Sequence, residues 1–287
     1  MADQKILVLG ASGMLGNAVY RLFATSPGYA VVGTVRSASS KIVLPDGAQG
    51  ELLAGVDVDQ ADSLVAAFEK VRPDIVINCV GLVKQLAAAN DPLVTLPINA
   101  MLPHRLARLA ALLDARLIHV STDCVFTGAK GNYLESDAPD AQDLYGRSKL
   151  LGEVDYSNAV TLRTSIIGTE LGSARGLVGW FLAQSGTVKG FSKAVFSGLP
   201  TAVLAQVIRD YVVPSPELRG VWHVSAAPID KFTLLKLVAA EYGKDIEIIS
   251  NEQLVIDRSL SSTRFRAATG WAPPSWPELI AKMRQFG

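Results

Sequence analysis

Residues 5–16 read KILVLGASGMLG, an apolar run that leads directly into a glycine-rich turn. A short run of this kind is typical of a strand buried on both faces of a parallel sheet. A helical pattern begins at Met14 and continues to about Thr25. Together these pieces predict a strand, a tight turn and a helix, which form the first unit of an α/β fold.

The turn places its glycines in the spacing Gly-x-x-Gly-x-x-Gly. Glycine permits a sharp turn and a close approach to a pyrophosphate, and the following helix N-terminus offers free N–H groups to phosphate oxygens. A plain tight turn would use the same residue type, but the position between the first strand and the first helix favours dinucleotide binding. The expected cofactor contacts in the turn are Gly10, Ser12, Gly13, Met14, Leu15 and Gly16.

Strand and helix patterns alternate up to Ser165, and the rhythm becomes irregular afterwards. The alternation predicts an α/β protein with a Rossmann-type, doubly wound parallel sheet and a smaller C-terminal substrate lobe. We expect a dinucleotide-binding domain over residues 1–165 and mainly the substrate lobe over 166–287, with elements around 199–225 returning to the Rossmann domain. Strands are predicted at 5–9, 29–35, 74–80, 117–121, 160–164 and 221–225, and a further short strand is predicted to end near residue 56. Helices are predicted at 14–25, 61–71, 103–113, 145–154, 177–184, 201–213 and 232–242.

Composition excludes several classes of protein. The chain has 287 residues and equal numbers of basic and acidic side chains, 27 of each, without a like-charge block. This argues against nucleic-acid binding and against a polybasic membrane surface, and no apolar run reaches the roughly 18 residues that span a bilayer. Two cysteines and three scattered histidines predict neither a disulfide framework nor a metal site. The chain leads into its first strand without a signal peptide, so we expect a cytoplasmic protein.

The end of the second predicted strand suggests which nicotinamide cofactor is preferred. An acid at this place suits the ribose hydroxyls of NAD, whereas an arginine suits the 2′-phosphate of NADP. Arg36 and Ser37 stand there, so NADP(H) is expected over NAD(H), although a solvated arginine in a polar loop is the alternative. Asp57 and Val58 follow the third strand, where a carboxylate can reach the adenine amino group or simply cap a helix.

Further cofactor contacts are expected at the carboxyl edge of the sheet. Cys79, Val80 and Gly81 end the fourth strand, and Cys79 reads as a small buried residue rather than a nucleophile. Asn99 and Ser121 complete the expected cofactor set.

The catalytic prediction rests on a serine–threonine pair and a tyrosine–lysine pair. Thr122 ends the fifth strand, and Tyr145 and Lys149 lie four residues apart, on one face of the next helix. A free tyrosine has a pKa of about 10, and a neighbouring ammonium and a positive nicotinamide lower it. Tyr145 can then exchange a proton with a carbonyl oxygen as hydride moves, Lys149 can also hold the nicotinamide ribose, and Thr122 can orient the carbonyl.

These motifs resemble the extended branch of the short-chain dehydrogenase/reductase superfamily, and within it the dTDP-4-dehydrorhamnose reductase-like family. The resemblance is carried by the glycine turn, by STDCVF (121–126), ESDAP (135–139), LYGRSKLLGE (144–153) and LRTS (162–165), and more thinly by GLPT (198–201). It implies a two-lobed protein of polysaccharide biosynthesis that reduces a keto group, expected at C4, on a nucleotide-diphosphate deoxysugar with NAD(P)H. The sequence does not decide whether the protein forms a homodimer.

The sequence departs from the family pattern in the expected sugar pocket. Cys124 replaces a tyrosine, Ile166 replaces an aromatic residue, and Val195-Phe196 replaces Asp-Gln. The nucleotide base and the sugar therefore stay open. The expected substrate contacts are Lys84, Gln85, Asp123, Cys124, Ser165 and Ile166, of which the first two could equally be a solvated helix start.

Two other functions fit the same motifs. An NAD-dependent sugar-nucleotide epimerase or dehydratase would usually carry an acid where Arg36 stands, although Asp123 could supply the extra carboxylate that a dehydratase needs. A non-catalytic, NADP-binding regulatory subunit has a precedent in the partner of methionine adenosyltransferase. The retention of Thr122, Tyr145 and Lys149 argues against the regulatory subunit, because a protein that only binds needs no proton donor.

Overall fold

A seven-stranded sheet forms the centre of the protein. The computed structural model describes residues 3–40, 42–83, 87–171 and 176–287. In chain order its strands are β1 (Gln4–Leu9), β2 (Tyr29–Val35), β3 (Gly50–Ala54), β4 (Ile75–Asn78), β5 (Arg116–Thr122), β6 (Ala159–Thr164), β7 (Ile166–Ile167), β8 (Thr187–Phe191), β9 (Ala194–Phe196), β10 (Leu199–Pro200), β11 (Gly220–His223), β12 (Ile229–Asp230), β13 (Glu247–Asn251) and β14 (Ile256–Asp257).

The helices connect these strands and cover the sheet. They are α1 (Met14–Ala24), α2 (Ala61–Val71), α3 (Pro92–Thr95), α4 (Leu102–Ala111), α5 (Leu144–Leu151), α6 (Leu177–Ala183), α7 (Thr201–Val207), α8 (Lys231–Tyr242), α9 (Thr263–Thr269) and α10 (Trp276–Phe286). Single turns of 3₁₀ helix lie at Ala87–Asn90 and Asp123–Val125, and π-helical turns lie at Leu96–Met101 and Ile208–Val212.

The sheet has the spatial order β11-β6-β5-β4-β1-β2-β3, and all neighbours are parallel. The strand order reverses between β1 and β4, where open α/β sheets bind their ligands beyond the carboxyl ends of the strands. The Rossmann-type doubly wound sheet expected from the sequence is therefore confirmed.

Two hydrophobic cores lie on opposite faces of this sheet. Successive side chains of a strand point to opposite faces, so Ile6 and Val8 of β1 enter the core beneath α1, while Leu7 and Leu9 enter the core beneath α2 and α4. The continuous apolar run of β1 is explained by this double burial.

The second half of the chain is divided between the sheet and a smaller group of strands. Helix α7 packs against α1, and β11 pairs with β6 in the large sheet. The remaining strands form small sheets with the orders β12-β9-β14, β13-β8 and β10-β7. The division into two domains at residue 165 stays a prediction.

The predicted elements of the first half agree with the structure to within a few residues. In the second half, the helix expected over 201–213 is present, but its second part is π-helical. The strand expected over 221–225 is β11. The elements that the sequence did not predict are the strands β7, β8, β9, β10, β12, β13 and β14 and the helices α3 and α9, because such short segments carry too little periodicity to be recognised. Within the described parts of the chain, no helix is long and apolar enough to cross a membrane.

Candidate active site

The glycine turn is held close to the sheet by contacts that side chains would block. Gly10 has φ +80°, and a Cβ there would lie 2.9 Å from Cγ2 of Val80. A Cβ on Gly16 would lie 2.0 Å from the carbonyl oxygen of Gly10, so α1 could not approach the turn with any other residue. These two glycines build the turn itself.

The N-terminus of α1 is open towards the carboxyl edge of the sheet. Gly13 is its N-cap without a side-chain hydrogen bond, and the first helical turn has no acid. Ser12 and Gly13 are exposed, whereas Leu15 is buried in the core. Free N–H groups and the positive end of the helix dipole suit a pyrophosphate at this place. The Leu15 side chain is buried, so only the backbone of this residue is available to a ligand, and the predicted contact stays a prediction.

The residues expected around the adenosine lie along the ends of β2 and β3. Arg36 and Ser37 are exposed just beyond β2, and the Ser37 hydroxyl hydrogen-bonds that of Ser39 at 2.7 Å. The Asp57 carboxylate accepts the N–H of Asp59 at 3.1 Å in a turn. It does not cap helix α2, which begins at Ala61 with Gln60 as its N-cap. Val58 is half-buried beside Asp57 and packs on the core beneath α2.

Asn99 connects the loop after β4 to α5, the helix that carries Tyr145 and Lys149. Its Oδ1 accepts the Leu82 N–H at 2.9 Å, and its Nδ2 donates to the Leu82 carbonyl and to the Ser148 hydroxyl, each at 3.2 Å. The π-helical turn presents this side chain, and a Cβ on Gly152 would lie only 2.0 Å from the Asn99 carbonyl oxygen. Asn99 thus holds the predicted cofactor loop in place through hydrogen bonds to the protein.

The loop itself lies against Lys149. A Cβ on Gly81 would be 3.8 Å from the Lys149 ammonium nitrogen. Burial raises the pKa of the Cys79 thiol to about 12, so it is a poor nucleophile and agrees with the interpretation as a buried residue.

The structure brings the predicted catalytic side chains together. Thr122 ends β5, and its hydroxyl oxygen accepts the Cys124 N–H at 3.1 Å. The same hydroxyl lies near enough to the Tyr145 phenol to lower the pKa of that phenol. Lys149 donates to the carbonyl oxygen of Val120 in the same strand at 2.9 Å. Gly146 permits this approach, because a Cβ there would lie 2.3 Å from the Cys124 carbonyl oxygen.

Burial sets the ionisation of the two central groups. It raises the pKa of Tyr145 above that of a free phenol, and the neighbouring Thr122 hydroxyl opposes this shift. The sequence predicts the opposite direction, a pKa lowered by Lys149 and the nicotinamide, because burial cannot be judged from the sequence. Burial also lowers the pKa of Lys149 to about 8, while the charge of Glu153 acts in the opposite direction. Near neutral pH the unliganded site therefore holds a protonated phenol and an ammonium group, which is the form that donates a proton.

A buried polar network behind Lys149 was not anticipated from the sequence. The carboxylate of Glu153 accepts the Ser121 hydroxyl at 2.8 Å and two N–H groups of Arg163 at 2.6 and 2.7 Å. The hydroxyl proton of Ser121, a predicted cofactor contact, is therefore engaged within the protein. The only signal in the sequence was that Glu153 lies one helical turn beyond Lys149.

The expected sugar pocket adjoins Thr122. Asp123 is buried, and its carboxylate accepts the Thr122 hydroxyl at 3.2 Å. The neighbouring Cys124 and Ser165 side chains favour its carboxylate form. Ile166 follows in β7, half-buried at the same edge. Burial raises the pKa of Asp123, and the positive charge of Arg258 opposes this shift. Lys84 and Gln85 lie outside the described residues.

Arg258 was missed because it comes from the far end of the chain. Its Nε donates to the Phe126 carbonyl oxygen at 2.9 Å, across 132 residues of sequence.

The residues that the structure describes contain no cluster of His, Cys, Asp or Glu side chains that could hold a metal ion.

Comparison with known proteins adds to this geometry. The profile of the family described as "RmlD substrate binding domain" matches residues 4–285. The chain belongs to this family. The expected relationship to sugar-nucleotide reductases of the extended short-chain dehydrogenase/reductase type is confirmed, and with it the classification as an NAD(P)-dependent oxidoreductase.

Individual relatives span different parts of the chain. The "Probable low-salt glycan biosynthesis reductase Agl14" of Haloferax volcanii is 28% identical over 91% of this chain and 85% of its own length. Methionine adenosyltransferase 2 subunit beta of Bos taurus is 30% identical over 53% of this chain, which corresponds to 42% of that protein. The crystal structure of the Bacillus anthracis dTDP-4-dehydrorhamnose reductase in complex with NADP superposes with a TM-score of 0.78 at 18% identity, and 99% of each chain is covered.

Proposed function

We propose that the protein is an NADPH-dependent reductase of the C4 keto group of a nucleotide-diphosphate deoxysugar, and that it works in the cytoplasm. The observation that carries this proposal is the convergence of Thr122, Tyr145 and Lys149 at the carboxyl edge of the sheet, the edge at which α1 also begins. The relatives described as dTDP-4-dehydrorhamnose reductases support the substrate class.

The residues present fit a nicotinamide dinucleotide. Gly10 and Gly16 shape the turn, the uncapped N-terminus of α1 suits the pyrophosphate, and Lys149 suits the ribose next to the nicotinamide. When bound, the reduced cofactor supplies the hydride. The protonated Tyr145 then donates its proton to the carbonyl oxygen, and the Lys149 ammonium stabilises the phenolate that is left.

The test is oxidation of NADPH, followed at its nicotinamide absorbance, with a panel of nucleotide-linked 4-keto deoxysugars. We expect turnover with at least one member and an alcohol at C4 in the product. The absence of turnover with every base and sugar of the panel would contradict the proposed reaction.

Arg36 supports the choice of NADPH over NADH. It lies exposed at the end of β2, where its guanidinium can pair with a 2′-phosphate, and no acid stands in its place to repel one. Arg36→Asp should weaken binding of NADPH strongly and that of NADH little, as measured by fluorescence titration. Equal or tighter binding of NADH by the unmodified protein would rule out the preference.

A regulatory subunit is the second candidate, favoured by the similarity to methionine adenosyltransferase 2 subunit beta over about half of this chain. It predicts tight NADPH binding, no turnover in the panel and a stable protein partner. The complete set of Thr122, Tyr145 and Lys149 supports the reductase, because a subunit that only binds needs no proton donor.

A further inference from the structure

The proton of the Thr122 hydroxyl is already engaged within the protein. A hydroxyl has one proton to donate and two lone pairs. The Thr122 oxygen accepts the Cys124 N–H at 3.1 Å, and its proton is donated to Oδ1 of Asp123 at 3.2 Å. Since a carbonyl oxygen can only accept, Thr122 has no free proton with which to hold a ketone.

Binding of a ketone therefore has a consequence for Asp123. For Thr122 to orient the carbonyl, its proton must turn from the Asp123 carboxylate to the substrate. Asp123 is only 5% exposed, so it then lacks one donor in a place that water reaches poorly. An unsatisfied buried acceptor is costly, and more so when it is charged.

The surroundings of Asp123 keep it an acceptor. Burial raises the pKa of Asp123, whereas the positive charge of Arg258 and the neighbouring Cys124 and Ser165 side chains favour the carboxylate form. The direction of the Thr122 hydrogen bond, in which Asp123 Oδ1 accepts, agrees with an acceptor. Arg258 is itself fixed by its hydrogen bond to the Phe126 carbonyl oxygen. An ionised carboxylate can accept about four hydrogen bonds, so a place for a further donor is available.

We propose that Asp123 recognises a hydroxyl group on the carbon next to the keto group, and thereby selects α-hydroxy ketones. The Thr122 and Asp123 oxygens are 3.2 Å apart, a spacing close to that between the two oxygens of such a ketone. The incoming hydroxyl replaces the proton that Thr122 gives up, so every buried group remains satisfied. In a 4-keto-6-deoxypyranose this hydroxyl is the one on C3. The inference rests on the proposed function and names the feature of the substrate that the site requires.

The test compares two ligands that differ only in this hydroxyl. A dTDP-4-keto-6-deoxyhexose and its 3-deoxy counterpart are titrated calorimetrically into the protein with NADP⁺, a combination that cannot transfer hydride. We expect the 3-deoxy ligand to bind the wild-type protein about 10- to 100-fold more weakly, because a hydrogen bond to a charged group is lost.

Asp123→Asn should reduce this ratio by weakening the binding of the hydroxylated ligand alone. Arg258→Met should act in the same direction through the ionisation of Asp123. Asp230→Asn is the matched control, because its carboxylate accepts the N–H and the hydroxyl of Thr233 and is not among the groups that act on Asp123, and it should leave the ratio unchanged.

Equal binding of the two ligands by the wild-type protein would overturn the inference even if Asp123→Asn does not fold. It would leave the proposed function intact, since both ligands would still bind. Binding of neither ligand, together with no turnover in the panel, would overturn the proposed function and the inference with it.

Discussion

At the scale of single residues, Tyr145 gives a direct test of the proposed proton transfer. Burial raises its pKa, so the phenol is protonated at neutral pH and ready to donate. Tyr145→Phe should leave folding and NADPH affinity nearly unchanged and lower turnover by about 10²–10⁴-fold, the usual contribution of general acid catalysis. Steady-state kinetics and a fluorescence titration would measure both.

The matched control is Tyr156→Phe. That phenol hydrogen-bonds the His104 ring at 2.9 Å and takes no part in the catalytic site, so turnover should persist. Undiminished turnover in Tyr145→Phe would contradict the assignment of the proton donor.

Lys149 gives the expected pH dependence of the reaction. Its pKa is lowered to about 8 by burial, so its ammonium is present below that pH and is lost above it. We expect kcat/KM, which reports ionisations of the free enzyme, to fall as the pH rises through about 8. Glu153→Gln removes a charge that raises this pKa, so the alkaline limb should move to lower pH.

The comparison for this shift is Glu135→Gln. The Glu135 carboxylate accepts the His223 N–H at 3.0 Å and is not among the charges that act on Lys149. An alkaline limb that stays in place in Glu153→Gln would show that Glu153 does not support the ammonium.

At the scale of elements, the turn between β1 and α1 separates two roles of glycine. A Cβ on Gly16 would lie 2.0 Å from backbone, so Gly16→Ala should displace α1 and lower the free energy of unfolding by about 1–3 kcal/mol, as measured in urea. A Cβ on Gly13 would lie 3.3 Å from its nearest neighbour, the Gly10 carbonyl oxygen. Gly13 also has φ −79°, which alanine adopts freely.

Gly13→Ala should therefore cost much less stability than Gly16→Ala and should weaken NADPH binding, because its methyl group lies at the exposed N-terminus of α1. If both variants lost only stability, the turn would be structural and the cofactor would bind elsewhere.

At the scale of the whole molecule, a chain of buried hydrogen bonds joins the segment just after α5 to the second half of the protein. It runs from Glu153 through Arg163 to His223 in β11, whose Nε2 lies 3.3 Å from an Arg163 nitrogen. Nδ1 of His223 lies 3.0 Å from the Tyr133 carbonyl oxygen, which can only accept. The proton of neutral His223 is therefore on Nδ1, and Nε2 accepts from Arg163.

This chain predicts a loss of stability in acid. Burial lowers the pKa of His223 from 6.5 to about 4, so the unfolded chain takes up a proton between these values while the folded protein does not. The free energy of unfolding should therefore fall by about 3 kcal/mol as the pH drops from about 6.5 to about 4, and should be unaffected by this group above that window.

Urea unfolding at several pH values would measure this loss against His223→Gln. Glutamine can replace both hydrogen bonds but cannot titrate, and His119 is present in both proteins, so the difference isolates His223. Identical pH profiles of the two proteins would exclude a role for His223 in acid unfolding.

The sequence by itself determined the features that depend on neighbours along the chain. The buried strand of residues 5–9, the glycine turn and α1 follow from local periodicity and from the conformational needs of glycine. Tyr145 and Lys149 could be paired because residues four apart share one face of a helix. Thr122 could be added because the carboxyl ends of parallel strands meet at one edge of the sheet.

Only the tertiary structure decided the contacts between distant segments. Arg163 and His223 are 60 residues apart, and Phe126 and Arg258 are 132 apart, and no periodicity relates such positions. The direction of the Thr122 proton and the pKa of Lys149 likewise depend on which groups are buried together. The sequence specifies which side chains are present, whereas packing fixes their partners and their charge, because hydrogen bonding and desolvation act through space rather than along the chain.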